Sequence, residues 1–503
     1  MSYHLLALLL LPLIGSALLF FLPKNFSKWA AFLIALLQLV FTFYLLIDFD
    51  AKPTVDSVLQ HEINWPWSDR IKSSIHFGLD GLSMLMVMLT NILVPLIIFS
   101  SFNESKTYPS SFYALILMMQ FGLLGVFTSL DGLLFYIFWE ITLIPIWFIV
   151  GLWGEPEKRL HITTKFFVFT FVGSLFMLAG LIYVYTNAAS FALTDLYNAS
   201  LTVGEQNVVF WFIFLAFAVK LPIFPFHTWQ ADTYSSAPTQ GSMLLSGIML
   251  KMAVYGLFRY LLPIVPAAIS GTSGGIVLLL AVFTVLYGAL IAIVQNDAKR
   301  LIAFSSLSHI GLITAGIFAA AMLCLKISQP GNPQYFSEGA EGAMVMAFAH
   351  GFNVVGLFLC ADVLMKRFGT RNINEMGGAA AVMPKFAVLF MIVLFGSLGV
   401  PLTNGFIGEF LLIKSVFDFN TVLGILAGFT IILAAVYLLR FYAKTMFGKG
   451  DEQKLSTIND LSDSEFAVLA SIAGFALMFG IYPQPIIELV GSSLEFIFHS
   501  MAS

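Results

Sequence analysis

The sequence predicts an all-α polytopic membrane protein of about 14 transmembrane helices. Three observations carry that prediction. Of the 503 residues, 59% are hydrophobic and only 10% are charged, against about 25% charged in soluble domains. Apolar runs of about 20 residues, the length that crosses a bilayer, recur along the whole chain. The polar stretches between them are short, the longest lying around 50–76, 187–206, 326–340 and 447–464, so none holds a separate soluble domain. The chain is therefore read as a single integral membrane domain, 1–503. A net charge of −4 suggests no nucleic-acid partner. Cys324 and Cys360 lie in or beside apolar segments, which supports neither a metal nor an iron–sulfur site. No G-x-G-x-x-G after a strand marks a dinucleotide site.

The spans are expected to begin near residues 2, 29, 77, 112, 132, 160, 207, 241, 272, 299, 341, 382, 420 and 465. The first run, MSYHLLALLLLPLIGSALLFFLP, lacks a basic n-region and a clean small-x-small cleavage site, and it is read as a retained helix rather than a signal peptide. Two later spans look interrupted. In KLPIFPFHTW, Pro222 and Pro225 follow Lys220; in FGSLGVPLTNGFIGEF, Gly399, Pro401 and Gly405 precede Glu409. Proline removes a helix donor and glycine relaxes the backbone. Within lipid such breaks are tolerated only where protein or a water-filled cavity satisfies the freed groups, and in transporters they mark the pathway. The breaks fall in spans seven and twelve. That offset predicts two five-helix repeats, spans 4–8 within 111–265 and spans 9–13 within 270–450, after three N-terminal spans in 1–110 and before the last span and C-terminus in 451–503. A unit with an odd number of spans, repeated in tandem, is inverted relative to its predecessor.

Loop charge orients the bundle. One set of loops carries Lys24, Lys28, Lys106, Lys158, Arg159, Lys165, Lys299, Arg300, Lys366, Arg367, Arg371, Lys385 and the cluster from Arg440 to Lys454. The other holds only Lys52, Arg70, Lys72, Lys326 and Lys414. The positive-inside rule makes the first side cytoplasmic. An even number of spans then places both termini on the non-cytoplasmic side.

Ionisable residues inside the spans are the functional candidates. Lys220, in FLAFAVKLPIFPFHTW, and Lys251, in SGIMLKMAVYGLF, sit mid-segment in successive helices. Each costs roughly 2.5–3.5 kcal/mol at a helix centre, and such a residue reads by default as part of an ion or proton pathway. Glu140 lies in FYIFWEITLIPIW, His309 in AFSSLSHIGLI, His350 in MAFAHGFNVVG with Asn353 one turn on, and Glu409 just after the second break. A structural carboxylate competes as a reading of Glu140 and Glu409, a structural counter-ion as a reading of Lys220, and a satisfied core histidine as a reading of His309 and His350. His227, in PFHTW, either gates an entry or caps the broken helix. Asp80 and Asp131 start spans and are read as structural N-terminal caps. Arg259 and Tyr260, near a span end, are read as interface anchors.

The chemistry suits proton transfer. Desolvation weakens a lysine's hold on its proton, and a neighbouring carboxylate restores it. At about 4 Å and an effective dielectric near 20 such a pair is worth about 4 kcal/mol, more than the roughly 2.3 kcal/mol needed to move one charge across 100 mV. Making and breaking a Glu–Lys contact is thus large enough to load and unload a proton. A second lysine, the histidines and a terminal glutamate supply the next stations.

The blocks FWEITLIPIWFIVGLWG, AFAVKLPIFPFHTWQADTYSSAPT, LLSGIMLKMAVYGLFR, QNDAKRLIAFSSLSHIG and PLTNGFIGEF resemble the antiporter-like (Mrp-type) membrane subunits of respiratory complex I, NADH–quinone oxidoreductase. Glu409, where related subunits typically carry lysine, resembles the M-type branch, as does an end soon after span fourteen with no long lateral helix. The resemblance implies Glu140 and Lys220 as an ion pair, Lys251 as the central relay, His309 and His350 as relay or water-organising residues, Glu409 as the terminal site and His227 as a possible entry. It implies a non-redox, proton-pumping subunit without a cofactor of its own. Other membrane subunits of complex I, including neighbouring antiporter-like ones, would be its partners in the lipid bilayer, with NADH, flavin, iron–sulfur and quinone sites elsewhere in the complex. A bacterial inner membrane is the expected location. One departure stands out. After His227 and Trp229 many relatives read L-P-D-A-H where this chain reads QADTY, so Asp232 is kept but Tyr234 stands where a second histidine is common. A subunit of a multi-subunit Na⁺/H⁺ antiporter is the alternative, a stand-alone solute transporter the third class, and the sequence leaves H⁺ against Na⁺ open.

Overall fold

The computed structural model describes residues 2–54, 57–68, 70–327 and 337–502, so most of the polar stretch expected at 326–340 lies outside the described residues. Twelve of the described helices are long and apolar enough to cross a membrane, and the chain is an integral membrane protein. The two other expected positions hold the shorter apolar helices Tyr3–Leu19 and Pro384–Ser397. The second is the first half of an interrupted segment that resumes as Asn404–Phe419. Each expected start lies beside an observed helix, with the largest offset at Lys24–Ile47.

Burial sorts these helices into a core and a lipid-facing ring. Thr239–Leu261 and Glu338–Phe368 are buried throughout their apolar windows, and Ala298–Lys326 is 94% buried. Lys24–Ile47, by contrast, is 28% buried and presents Leu33, Leu37 and Val40 outward, as a helix with lipid on one face must. Buried apolar side chains form one continuous core running from Leu5 to Met501.

Both expected breaks are present, and each is repaired locally. The helix Val203–Lys220 opens on a Thr202–Glu205 capping box and stops at Lys220. The chain then turns through Pro222 and Pro225 and resumes as Gln230–Ser236. The Trp229 indole donates to the freed Val219 carbonyl at 2.9 Å, and the Phe224 N–H donates to Thr284 Oγ1 at 3.1 Å. In the second break Gly399 has φ +62° and Leu402 φ +71°, and Thr403 Oγ1 donates to the Phe395 carbonyl at 3.1 Å. These protein partners are what permit irregular backbone at membrane depth. Between the breaks, Thr239–Leu261 contains two π-helical turns, Leu245–Met249 and Leu257–Leu261.

The structure adds two elements to the helical bundle that the sequence predicts. Gln60–Ser68 and Ser73–Leu79 form a two-stranded antiparallel hairpin, with Ile63 opposite Phe77. It lies in the longest polar stretch of the N-terminal part, outside any apolar span, where backbone groups are free to pair laterally. A further helix, Gln484–Ala502, follows the last apolar span, Asp463–Ile481. Its buried positions, Ile486, Leu489, Val490, Ser493, Leu494, Ile497, Phe498 and Met501, recur at helical spacing on one face. That face packs on Gly81–Ser100. Ser493 Oγ accepts the Gly81 N–H at 2.8 Å, and a Cβ at Gly81 would collide with the Leu489 carbonyl oxygen.

Gly81→Val is therefore expected to lift Gln484–Ala502 from its seat, at a cost of about 1–3 kcal/mol typical of overpacking. Limited proteolysis should cut between Ile481 and Gln484 faster in the variant; an unchanged cleavage rate would contradict the close crossing.

Candidate functional site

Glu140, Lys220 and Lys251 stand at irregularities in their helices, whereas His309 and His350 lie inside the continuous helices Ala298–Ile327 and Ser337–Phe368. Glu140 is the penultimate residue of the half-helix Gly132–Ile141, two residues before the turn at Thr142 that starts Leu143–Trp153. Pro145 lacks the N–H that would bond the Ile141 carbonyl, which loosens the ladder there. The Glu140 carboxyl is partly buried and faces Ser174, Lys220 and Tyr136. Lys220 is the last residue of its half-helix, where the unpaired carbonyls favour a cation.

The expected Glu140–Lys220 ion pair is not closed. The two side chains make no N–O contact within 4.0 Å; the Lys220 ammonium instead lies over the Trp139 ring, 5.3 Å from its centroid. Neither Lys220 Nζ nor Glu140 Oε1 has a hydrogen-bond partner among the protein's own groups. A buried cation–π contact of this kind contributes roughly 0.5–2 kcal/mol, less than the about 4 kcal/mol of a closed pair. Trp139, which sequence reasoning passed over, is thus an alternative seat for the ammonium, next to Glu140 in the chain.

The second half of the line is in direct contact. Lys251 is fully buried, and its ammonium donates to the Ser246 carbonyl at 2.7 Å and meets His350 Nδ1 at 2.9 Å. The π turn at Leu245–Met249 changes the register of the backbone bonds around Ser246, so Lys251 finds a partner in its own helix that α-helical spacing does not suggest. The His350 ring stands edge-on to His309 with centroids 5.9 Å apart. His309 Nε2 approaches Glu409 Oε1 at 3.4 Å, with both side chains buried. Gly399, in the second break, lies against the Glu409 carboxylate, where any Cβ would collide. Asn353, one turn beyond His350, donates to Asn404 Oδ1 at 3.0 Å. The serines around His309 serve neighbouring helices: Ser305 meets the Tyr437 hydroxyl at 3.0 Å, and Ser308 donates to the Val285 carbonyl at 2.9 Å.

His227 sits in the first break, 3.1 Å from the Tyr287 hydroxyl, apart from the Lys251 group. Asp232 binds Lys165 at 3.0 Å and Arg300 at 2.9 Å. Tyr234 is fully buried, its hydroxyl unpartnered among protein groups, as are both amide atoms of Gln230. Asp131 caps its helix as expected, accepting from the Leu133 and Leu134 N–H groups, and also accepts from Ser73. Asp80 caps Gly81–Ser100 through the Ser83 N–H at 2.9 Å, but it does more. It pairs with Arg259, and both side chains are 0% exposed. Arg259 and Tyr260 are therefore not interface anchors. Their span end is covered by other protein, with the Tyr197 hydroxyl donating to the Arg259 carbonyl at 2.8 Å and Tyr260 donating to the Ser129 carbonyl at 3.1 Å. Lys299, assigned by sequence to a loop, is also buried and donates to the Ala237 carbonyl at 2.9 Å.

A family model described as the transmembrane part of NADH:quinone oxidoreductase and the Mrp antiporter matches residues 129–434, which hold every candidate from Glu140 to Glu409. The chain belongs to this family. Among its relatives, NADH-quinone oxidoreductase subunit M of Rickettsia conorii is 36% identical over 472 residues, 93% of this chain and 92% of the relative. F(420)H(2) dehydrogenase subunit M of Methanosarcina mazei is 37% identical over 499 residues, 97% and 96% of the two chains. Among solved structures, a chain of respiratory complex I from Thermus thermophilus with bound NADH superposes with a TM-score of 0.85 at 30% identity, covering 98% of this chain and 99% of that one. The family match agrees with the resemblance drawn from the sequence blocks.

Buried polar atoms in proteins are nearly always hydrogen-bonded, to ordered water where protein supplies no partner. Glu140 Oε1, Lys220 Nζ, Gln230, the Tyr234 hydroxyl, Ser306 Oγ and His350 Nε2 lack one. Ordered water is expected at these atoms in a high-resolution cryo-EM map of the native assembly. A map that resolves waters elsewhere but leaves these positions dry would contradict a hydrated line.

Proposed function

We propose that this chain is the antiporter-like, proton-translocating M-type subunit of a NADH–quinone oxidoreductase. One observation carries the reading: Lys251, His350, His309 and Glu409, from four helices, meet in succession inside the bundle, with polar contacts of 2.9 Å and 3.4 Å at the two ends and a ring contact between. Each histidine has two ring nitrogens, so each can accept a proton on one side and release it on the other. Lys251 hands its proton to His350 Nδ1, His350 passes it to His309, and Glu409 receives it.

The Glu140–Lys220 pair is the control element. With the ammonium over Trp139, the Lys220 charge is not neutralised by a carboxylate and raises the local positive potential. Moving it onto Glu140 gains about 4 kcal/mol against the roughly 0.5–2 kcal/mol lost at the ring. The net difference is comparable to the roughly 2.3 kcal/mol per charge of a 100 mV potential. Small rearrangements elsewhere in a complex are therefore enough to tip it.

The basic loops lie in the cytoplasm by the positive-inside rule, with the β-hairpin and both chain ends on the opposite side of a bacterial inner membrane. NADH, flavin, iron–sulfur and quinone sites reside in other subunits, and neighbouring antiporter-like subunits flank this one. This chain transfers protons and no electrons. That relatives bear the names of both NADH-quinone oxidoreductase and F(420)H(2) dehydrogenase subunits supports a membrane part separable from the electron donor.

Two tests follow. Glu140→Gln and Lys220→Ala are expected to abolish proton pumping in an assembled complex, measured as protons moved per electron in reconstituted vesicles. Normal pumping in either would remove the control element. Glu409→Gln is expected to lower that ratio while Glu409→Lys, which keeps an ionisable terminus, retains part of it; an unaltered ratio in Glu409→Gln would take Glu409 out of the path. Co-purification with flavin and iron–sulfur subunits is expected, whereas a cofactor-free antiporter assembly would favour the Na⁺/H⁺ antiporter reading.

A further inference from the structure

The helix Thr239–Leu261 carries six polar side chains in one line: Thr239, Ser242, Ser246, Lys251, Tyr255 and Arg259. Their spacings are 3, 4, 5, 4 and 4 residues, and the π turn at Leu245–Met249 absorbs the extra residue before Lys251. Direct bonds join three of the five neighbouring pairs. Ser246 Oγ donates to the Ser242 carbonyl at 2.7 Å, Lys251 donates to the Ser246 carbonyl at 2.7 Å, and Arg259 Nε donates to the Tyr255 hydroxyl at 3.3 Å. Tyr255 and Lys251 are one turn apart, about 6 Å along the axis. Every member of the line is buried.

Ion pairs close both ends. At the basic-loop face, Thr239 Oγ1 donates to Asp362, and Lys366 joins Asp362 to Glu104. Burial pushes the Glu104 carboxyl up, but Lys106 and Lys366 outweigh it and hold it at about 2. At the opposite face the end is the Asp80–Arg259 pair, with Ser83 Oγ 3.2 Å from the Tyr255 hydroxyl. Apart from that charge contact, Asp80 Oδ2 and both terminal guanidinium nitrogens have no hydrogen-bond partner. Stability alone is a weak reason to bury such a pair, since well-packed apolar replacements are often neutral or stabilising.

Resting on the proton-translocation reading above, we propose that the Asp80–Arg259 pair is the gate of a second exit for protons, beneath Lys251 and separate from Glu409. While the pair is closed, the guanidinium repels a proton approaching along the line and neutralises the Asp80 carboxylate at its end. When it opens, the Lys251 ammonium gives up its proton through the Tyr255 hydroxyl to the Asp80 carboxylate. Lys251 is left neutral and Asp80 protonated until it releases to water at the hairpin face. Tyr255 connects the two, and Arg259 is the positioning residue.

The test uses the whole complex in liposomes. Arg259→Gln removes the blocking charge while leaving the Asp80 acceptor, and is expected to collapse an imposed pH gradient several-fold faster than the native complex, without any electron donor present. Adding Tyr255→Phe is expected to restore tightness by cutting the hydroxyl link. A gradient held as long in Arg259→Gln as in the native complex, or a leak that Tyr255→Phe leaves undiminished, overturns the gate. Should Arg259→Gln fail to assemble, Tyr255→Phe alone decides: a lower number of protons per electron supports the exit, and an unchanged number overturns it. Glu140→Gln in the same liposomes separates the two ideas, since it is expected to stop pumping without a leak. If it pumps normally the Glu140–Lys220 control element fails, whatever the leak measurements return.

Discussion

A polar or charged side chain inside the hydrocarbon layer must find its partner within the protein. Nearly every irregular feature of this fold answers that constraint. The helix breaks at Leu221–Trp229 and Leu398–Thr403 expose carbonyls and N–H groups, and Trp229, Thr284 and Thr403 bond them. The π turn at Leu245–Met249 brings a carbonyl to Lys251. The pairing of Asp80 with Arg259 balances two charges that the surrounding apolar core could not tolerate singly. Lys251 and Arg259 lie on Thr239–Leu261, which is buried throughout its apolar window, and Thr284 on the half-buried Thr272–Val294, while lipid-facing Lys24–Ile47 carries none of these groups.

The two parts of the candidate line differ in how they meet the constraint. Lys251, His350, His309 and Glu409 bond or abut one another directly. In the proposed relay such a set needs only small shifts to pass a proton, because each group lies beside the next. Glu140 and Lys220 stand apart, with the ammonium on an aromatic face. The energetic gap between the ring seat and the carboxylate seat is of the order of the membrane potential acting on one charge, about 2 kcal/mol. A contact that is neither locked nor lost is what a control point requires.

Much of the fold was legible from residues alone. Apolar runs located each span, because a helix in lipid must be apolar for about 20 residues and water-facing loops cannot be. Pro222, Pro225, Gly399 and Pro401 located both breaks. The hairpin at Gln60–Leu79 was not legible as a strand pair, since hydropathy distinguishes only what is inside the membrane from what is outside. Gln484–Ala502 was legible in principle from the one-sided spacing of Ile486, Leu489, Val490 and Leu494, but a helix lying beside the last span reads as its continuation.

The sequence by itself determined the class, the positions of the spans and the identity of the intramembrane ionisable groups, because each of these follows from the transfer cost of a residue considered alone. Tertiary structure decided which of those groups touch. It joined Lys251 to Glu409 through two histidines, left Lys220 over Trp139 rather than on Glu140, and buried Arg259 against Asp80 where sequence reading had placed it at an interface. Partner choice is a matter of ångströms between helices distant in the chain, and periodicity along one helix carries no information about the distance to another.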